Sequence, residues 1–475
     1  MSTQDATSPV PAEPAEQDAY RLRAEDVREA PTTFVGRLRY LGPGIVLTAA
    51  VVGSGELIVT TSLGAQAGFA LLWMVIVGAT VKVWVQMELA RWAILNGKTA
   101  LAGYSTVPPR IGRMGWINWL WIGLDFAKTF QRGGVIGGTA AACSILWPIM
   151  GDPLSGSSLT MWTVIITVVT VALLRSSKYS VVERITTCSV AIFTLCTITI
   201  VVLLPWTPFA YSAGDLGTGL SFMIPAGTVG LAVAMFGSTG VGADDMTNYT
   251  YWCLEKGYAR WTGPDDGSEA RAKRAEGWLK VMRLDVFVSW LICTVSTLAF
   301  YLMGASVLHP QNLVPEGNDI ITTLSRIYTD ILGPWAEYLF LFGAIAVLFS
   351  TNVTSCAAVP RLWTNTLGLL GVLDWHDPKA RARGIRIFTY CLPVLWAAMF
   401  LFVQSPLVMF QIGAIATGIF LLAVLFAVWR LRSTEVEDRF KENPLLTLAL
   451  VLASIGITVL GIYTILEVFG FSIQG

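Results

Sequence analysis

Two short stretches decide how this chain folds: Val52-Gly53-Ser54-Gly55-Glu56, and Gly237-Ser238-Thr239-Gly240-Val241-Gly242-Ala243-Asp244-Asp245. Each lies inside a long apolar segment. A glycine costs a helix interior about 1 kcal/mol relative to alanine, and freed backbone groups cannot face lipid. The two stretches therefore predict membrane helices that are interrupted around a polar cavity. Acids occur in or directly after both glycine-rich stretches, and acids at mid-membrane depth are costly and usually functional.

The two stretches also resemble each other. In both, a Val-Gly pair is followed by two small or polar residues and then an acid, Glu56 in the first and Asp245 in the second. They fall in the first and sixth predicted membrane spans. Because five spans is an odd number, two such units have opposite orientations, which is typical of an inverted repeat with paired discontinuous helices. That architecture predicts a substrate site where the two breaks meet.

The composition predicts a multi-pass membrane protein. Of 475 residues, 54% are hydrophobic and 13% are charged, whereas an ordinary soluble domain has about 25% charged residues. A span needs about 20 apolar residues. Eleven segments meet this requirement: 41–66, 69–95, 114–146, 159–174, 182–204, 220–252, 281–305, 334–358, 386–404, 406–430 and 445–469.

The distribution of charge predicts the orientation of these spans. With the N-terminus inside, nearly all Lys and Arg fall on cytoplasmic connections, and Arg326 is the exception on the outside. Cytoplasmic loops carry this excess of positive residues, so we expect a cytoplasmic N-terminus and an external C-terminus in a bacterial-type cell membrane. The net charge of zero argues against a nucleic-acid partner.

The chain is predicted to form one membrane domain, residues 37–475, after a disordered cytosolic tail, residues 1–36. The long connections at 254–280 and 306–330 have no predicted role. Asn96-Gly97-Lys98-Thr99 ends like a phosphate-binding loop, but Trp92 stands where that motif needs glycine. We therefore expect no ATP, no cofactor and no enzymatic activity. The predicted subdivisions are a first repeat at about 40–204, a second at about 220–430 and an extra span at 445–469.

The candidate ligands at the two breaks are all oxygen donors, which suit hard cations such as Mg²⁺, Ca²⁺ and Mn²⁺. A cationic organic substrate would suit the same acids. No Met, Cys or His falls within either break. The candidates are the carboxylates of Glu56, Asp244 and Asp245, the hydroxyls of Ser54, Ser238 and Thr239, and backbone carbonyls near Gly53 and Gly240.

Charged residues also occur inside the second and third spans. Lys82 lies in the second, and Asp125, Lys128 and Arg132 lie at helical spacing on one face of the third. Two interpretations stay open. These residues form either a polar pathway beside the site or an interhelical salt bridge that locks the scaffold.

The sequence resembles the Nramp family of divalent metal transporters. Gly42-Pro43-Gly44 resembles the start of that family's first span, and Gly64-Ala65-Gln66-Ala67-Gly68-Phe69 with Leu71-Leu72-Trp73 is similar to the segment that follows. Gln411 stands where the family has a glutamine in span ten. The resemblance covers most of residues 40–430. It implies an all-α membrane protein with a LeuT-type inverted repeat of spans 1–5 and 6–10, and eleven spans as in the bacterial form.

The departures from the family pattern bear on selectivity. The family's metal-binding Asp position is Gly53 here, and its Asn position is Glu56. Its Met, which is associated with transition-metal preference, is Val241. The acids that resemble a proton pathway fall near Gln131 and Gly134, so the resemblance gives proton coupling no support. Related branches of the family that transport Mg²⁺ have also lost this Met.

The leading hypothesis is a divalent metal transporter that works by alternating access and favours Mn²⁺ or Mg²⁺ over iron. Glu56 would supply the principal carboxylate, with Asp244 facing it and Asp245 behind. Gln411 would line the site from span ten, and Asn352 and Thr354 in span eight are further candidates. Two alternatives remain: a transporter of an organic amine or amino acid with the same fold, and a non-transporting scaffold that has lost the metal site.

Overall fold

The computed structural model describes residues 18–53, 55–175, 179–225, 228–315, 317–441 and 444–468. These residues are almost entirely helical. The α-helices in chain order are α1 (Phe34–Leu38), α2 (Pro43–Val51), α3 (Thr61–Ala67), α4 (Leu72–Asn96), α5 (Ala100–Thr106), α6 (Trp116–Leu146), α7 (Gly156–Arg175), α8 (Tyr179–Leu203), α9 (Ala213–Gly219), α10 (Val229–Ser238), α11 (Ala243–Lys256), α12 (Tyr258–Thr262), α13 (Glu269–Met303), α14 (Ile320–Leu332), α15 (Ala336–Leu370), α16 (Pro378–Val403), α17 (Pro406–Glu435) and α18 (Pro444–Val468).

Shorter elements complete the described structure. Two π-helical segments, Gly55–Thr60 and Gly304–Leu308, precede α3 and follow α13. A single antiparallel pair of two-residue strands, β1 (Arg110–Ile111) and β2 (Met114–Gly115), links α5 to α6. The 3₁₀ turns are Ala24–Asp26, Leu204–Trp206, His309–Gln311, Gly317–Asp319 and Asp438–Phe440.

Each predicted span coincides with one helix or with a pair of shorter helices. Among the described residues, eight helices are long and apolar enough to cross a membrane: α4, α7, α8, α13, α15, α16, α17 and α18. The helix α6 has 31 residues but carries several charges, and the first and sixth predicted spans are each divided in two. A helical membrane protein with two interrupted helices is confirmed, while the count of eleven crossings stays a prediction.

The first break follows α2, whose last residue is Val51. The backbone leaves the α conformation at Val52 and resumes as the π-helical segment at Gly55. Ser54 lies outside the described residues. An interruption at this position was predicted from Gly53 and Gly55, whose lack of a side chain lowers helix stability.

The second break separates α10 from α11. Gly240 has a φ of +61°, which favours glycine, and Gly242 precedes the first residue of α11. Gly237 lies against α17 so closely that an added Cβ would stand 1.8 Å from the carbonyl oxygen of Ala414. The glycines here therefore serve both the turn between the two half-helices and the contact with α17.

A buried carboxylate on α13 holds the start of α2. Asp285 accepts hydrogen bonds from the backbone N–H groups of Gly42 at 3.0 Å and Gly44 at 2.6 Å. It also accepts one from the hydroxyl of Tyr249 on α11 at 2.8 Å. A Cβ on Gly44 would lie 2.6 Å from the Asp285 carbonyl oxygen. The Gly-Pro-Gly sequence thus lets a half-helix begin in direct contact with α13, with its free N–H groups satisfied.

Residues 18–36 differ from the predicted disordered tail. Tyr20 donates a hydrogen bond to Glu255 at 2.6 Å and packs on Trp375 with ring centroids 5.0 Å apart. Asp18 forms an ion pair with Arg381 at 2.6 Å. Burial, and then the adjacent Glu255 carboxylate, raise the pKa of the Tyr20 phenol well above its ordinary value. The polar composition of the segment predicts disorder and could not predict these contacts, because they are made with residues distant in the sequence.

Candidate functional site

A cavity of about 90 Å³ lies between the two breaks. Polar side chains from four helices line it, together with backbone from both interrupted segments. Because the breaks meet there, it occupies the position that the inverted repeat predicts for a substrate. The polar and glycine lining comprises Gly55, Lys128, Gln131, Arg132, Gly237, Gly242, Asp244, Asp245, Asn248, Thr351, Thr354, Ser355 and Thr417.

Three oxygen acceptors in this lining have no hydrogen-bond partner within the described part of the chain. They are Asp244 Oδ1, Asn248 Oδ1 and Gln131 Oε1, and all three atoms are buried. Asp244 and Asn248 lie four residues apart on α11, so they share a helix face. Buried polar atoms nearly always have partners. A cluster of three free acceptors around one cavity therefore marks a place for an electropositive group.

The carboxylates of the cavity come from the first turn of α11. Asp244 Oδ2 forms an ion pair with Lys128 Nζ of α6 at 3.0 Å, and the two side chains are 9% and 12% exposed. Asp245 accepts a hydrogen bond from the backbone N–H of Gly242 at 3.1 Å and so caps α11. The positive end of a helix dipole further stabilises negative charge at this position.

Glu56 occupies a different position from the one predicted for the principal carboxylate. It is 1% exposed and is not among the described residues that line the cavity, although Gly55 is. Its oxygens accept hydrogen bonds from the Gly53 N–H and from Thr297 on α13, each at 3.3 Å. The irregular backbone after Gly53 sets the direction of this side chain, and helical periodicity could not predict it.

The ammonium group of Lys82 binds the backbone carbonyls that the second break leaves without partners in the helix. This fully buried side chain donates hydrogen bonds to the carbonyls of Phe236, Gly237 at 3.4 Å and Thr239 at 2.8 Å. The ammonium thereby satisfies the end of α10, where the helix dipole favours a cation. Carbonyls near Gly240 were predicted to bind the substrate ion, but the carbonyls at the end of α10 already bind this ammonium.

Of the predicted hydroxyl ligands, Thr239 is the one whose side chain the structure describes. The hydroxyl of Thr239 is buried and has no hydrogen-bond partner among the described residues, but Thr239 does not line the cavity. Ser238 ends α10, and its side chain lies outside the description. The carbonyl of Gly53 accepts from the N–H of Leu57 at 3.1 Å.

The charged face of α6 divides into two parts. Asp125 and Arg132 form an ion pair at 2.6 Å, and Trp363 donates to Asp125 at 2.7 Å. The Arg132 guanidinium also lies 5.3 Å from the centre of the Trp396 ring. The Asp125–Arg132 pair lies within α6 and contacts its neighbours through Trp363 and Trp396, whereas Lys128 forms an interhelical ion pair with Asp244 and lines the cavity together with Arg132. The face therefore shows features of both interpretations, and the choice between them stays a prediction.

Of the residues on α15 and α17 that were candidates for the site, only some line the cavity, and other residues of the same helices line it as well. Thr354 lines the cavity, but Asn352 donates a hydrogen bond to Thr170 on α7 at 3.0 Å instead. Gln411 is not among the described lining residues, while Thr417 on the same helix is. Sequence reasoning missed Thr417, Thr351 and Asn248. Only Asn248 had a usable signal, its position one turn after Asp244.

No group of three or more His, Cys, Asp or Glu side chains is arranged to hold a metal within the described ranges. The cavity instead combines carboxylate, amide and hydroxyl oxygens.

A family model described as "natural resistance-associated macrophage protein-like" matches residues 44–467. The chain belongs to the Nramp family. Members of this family are membrane transporters, which agrees with the prediction that the chain is not an enzyme.

Other comparisons place the chain among bacterial relatives. It is 23% identical over 444 residues to an uncharacterized protein of Pasteurella multocida, covering 91% of this chain and 93% of that one. It is 24% identical over 440 residues to the divalent metal cation transporter MntH of Verminephrobacter eiseniae, covering 92% and 91%.

The solved structures show the fold. The manganese transporter of Eremococcus coleocola matches with a TM-score of 0.62 at 14% identity, over 94% of this chain and 91% of that one. The nucleobase-cation symporter Mhp1 matches with a TM-score of 0.51, also at 14% identity, over 94% and 97%. The predicted LeuT-type fold is therefore confirmed.

Proposed function

We propose that this Nramp-family chain transports a hard divalent cation, Mn²⁺ or Mg²⁺, and that the ion binds in the cavity between the two breaks. The three free acceptors around that cavity carry the proposal. The relative from Verminephrobacter eiseniae, named a divalent metal cation transporter, supports it. Oxygen ligands suit both ions.

In the proposed site, Asp244 Oδ1 is the charged ligand, and the amide oxygens of Asn248 and Gln131 are neutral ligands. Asp245 and the hydroxyl of Thr354 border the same space and contact water bound to the ion. Mg²⁺ in particular keeps several waters when it binds to protein. No described residue in the lining is Met, Cys or His, so the site lacks the soft sulfur ligands that would favour copper(I) and the imidazole that suits iron.

The size of the cavity favours an ion over an organic substrate. Sites for small organic molecules usually enclose about 300–1,000 Å³, whereas this cavity is about 90 Å³. A partly hydrated ion fits that volume. The same acids would attract an amine or amino acid, but binding one would require the surrounding helices to separate.

We infer that transport proceeds by alternating access, and the two breaks support this inference. Each interrupted helix has a half that can tilt about the break, which would open the cavity first to one side of the membrane and then to the other. The excess of Lys and Arg on one set of connections supports a cytoplasmic N-terminus.

Calorimetric titration of the purified chain with Mn²⁺, Mg²⁺, Ca²⁺ and Fe²⁺, followed by uptake into proteoliposomes, tests the proposal. The variant Asp244→Asn should weaken Mn²⁺ and Mg²⁺ binding about tenfold or more, because it removes the charged ligand. Asp152→Asn, at an exposed residue, is the matched control. Undiminished uptake by Asp244→Asn would refute the site. If the parent chain bound no divalent ion, the proposal would be refuted in favour of the organic-substrate or scaffold alternative.

A further inference from the structure

Lys128 presents a positive charge inside the proposed cation site. Its ammonium lies 3.0 Å from Asp244 Oδ2, and both residues line the cavity. The other oxygen of the same carboxylate has no hydrogen-bond partner among the described residues. One of the two oxygens of the proposed charged ligand is thus already paired with a cation of the protein itself.

The neighbouring cations are held more firmly. Lys82 donates to three backbone carbonyls, and Arg132 combines an ion pair with Asp125 and a contact with the Trp396 ring. Within the described part of the chain, Asp244 is the single ion-pair partner of Lys128. A lysine is a point charge on a flexible four-carbon stem, so it can leave one partner for another.

We propose that Lys128 is a tethered cation that neutralises Asp244 while the site is empty and is displaced when a divalent ion binds. This inference rests on the proposed function. Two cations on one carboxylate repel each other, so tight binding of the ion requires the ammonium to move. The carboxylate of Asp245, which borders the same cavity, offers it another acceptor.

The displacement has a consequence for transport. After it releases the ion, the empty transporter must return to the conformation that faces the side of uptake. On that path it passes through a closed state, in which a buried carboxylate without a partner would be very unfavourable. Lys128 supplies that partner from within the chain. The empty carrier therefore returns without a second transported cation, and net uptake needs no countertransported ion.

Comparing net uptake with exchange tests the inference. The variant Lys128→Gln removes the tethered charge but keeps a polar side chain. In proteoliposomes, we expect it to retain exchange of external labelled Mn²⁺ for internal Mn²⁺, because exchange does not require the empty carrier to return. Net uptake into Mn²⁺-free vesicles should fall about tenfold or more, and the Kd for Mn²⁺ should decrease about tenfold because a competitor is lost. Lys280→Gln, at an exposed lysine, is the matched control.

Two results would overturn the inference: net uptake by Lys128→Gln equal to that of the parent chain, or loss of exchange in a variant that still folds and binds Mn²⁺. Failure of the parent chain to bind or move any divalent ion would instead count against the proposed function. If Lys128→Gln does not fold, the variant Lys128→Arg tests the inference instead. Arginine pairs with a carboxylate more strongly, so net uptake should persist while the Kd for Mn²⁺ rises about threefold or more. An unchanged Kd would refute the tethered cation.

Discussion

The two breaks have similar sequences but different local chemistry. In the first, the Glu56 carboxylate accepts hydrogen bonds from Gly53 and Thr297 and is not among the described residues that line the cavity. In the second, the acids at the start of α11 border the cavity, and Asp244 leaves one oxygen without a partner. The comparison teaches that an acid beside a helix break can complete the fold or bind a ligand, depending on which groups the neighbouring helices supply.

Two lysines near the breaks also differ in the groups that they bind. Lys82 donates to the carbonyls at the end of α10 and so belongs to the scaffold, while Lys128 pairs with a carboxylate that borders the cavity. The same charged group thus stabilises an interrupted helix in one place and competes with a ligand in the other. Substitutions that affect only folding, or only binding, can test this division.

The largest effect is expected at Lys82. The variant Lys82→Met removes the ammonium and leaves the carbonyls of Phe236, Gly237 and Thr239 buried without their donor. We expect a loss of about 3 kcal/mol or more in the free energy of unfolding, since unsatisfied buried polar groups cost about 1–3 kcal/mol each. Thermal unfolding in detergent measures it, with Lys280→Met as the control. Unchanged stability would show that the carbonyls find other donors.

A smaller effect, on binding and not on folding, is expected at Asn248. The variant Asn248→Ala removes one neutral oxygen ligand from the cavity, so the Kd for Mn²⁺ should rise about tenfold, equivalent to about 1.4 kcal/mol. Calorimetry measures this change. The control is Asn352→Ala, because Asn352 bonds to Thr170 and does not line the cavity. Equal losses in the two variants would contradict the assignment of Asn248.

Glu56 provides the sharpest contrast with Asp244. Because Glu56 does not border the cavity, Glu56→Gln should change the Kd for Mn²⁺ by less than about threefold, while Asp244→Asn weakens binding about tenfold or more. The same titration measures both variants. A large loss of affinity in Glu56→Gln would restore this residue as the principal ligand and would remove the distinction between the two breaks.

A modest effect, on folding and not on binding, is expected at Thr297. The variant Thr297→Val keeps the shape of the side chain and removes the hydroxyl, whose one proton is shared between the Cys293 carbonyl at 2.7 Å and the Glu56 carboxylate at 3.3 Å. A single hydrogen bond contributes about 1 kcal/mol to stability, so the free energy of unfolding should fall by about that amount while the Kd for Mn²⁺ stays unchanged. Thr294→Val, also on α13, is a matched control, because the Thr294 hydroxyl has no hydrogen-bond partner among the described residues.

By itself, the sequence determined the membrane class, the places where two helices break and the acids beside them. These follow from apolar length, from the cost of glycine in a helix and from the cost of charge in lipid, which are all local quantities. The direction of Glu56, the occupation of the α10 carbonyls by Lys82 and the convergence of Gln131, Asp244 and Asn248 were decided only by the tertiary structure. Each depends on a contact between residues distant in the chain or on irregular backbone, and neither leaves a periodic pattern in the sequence.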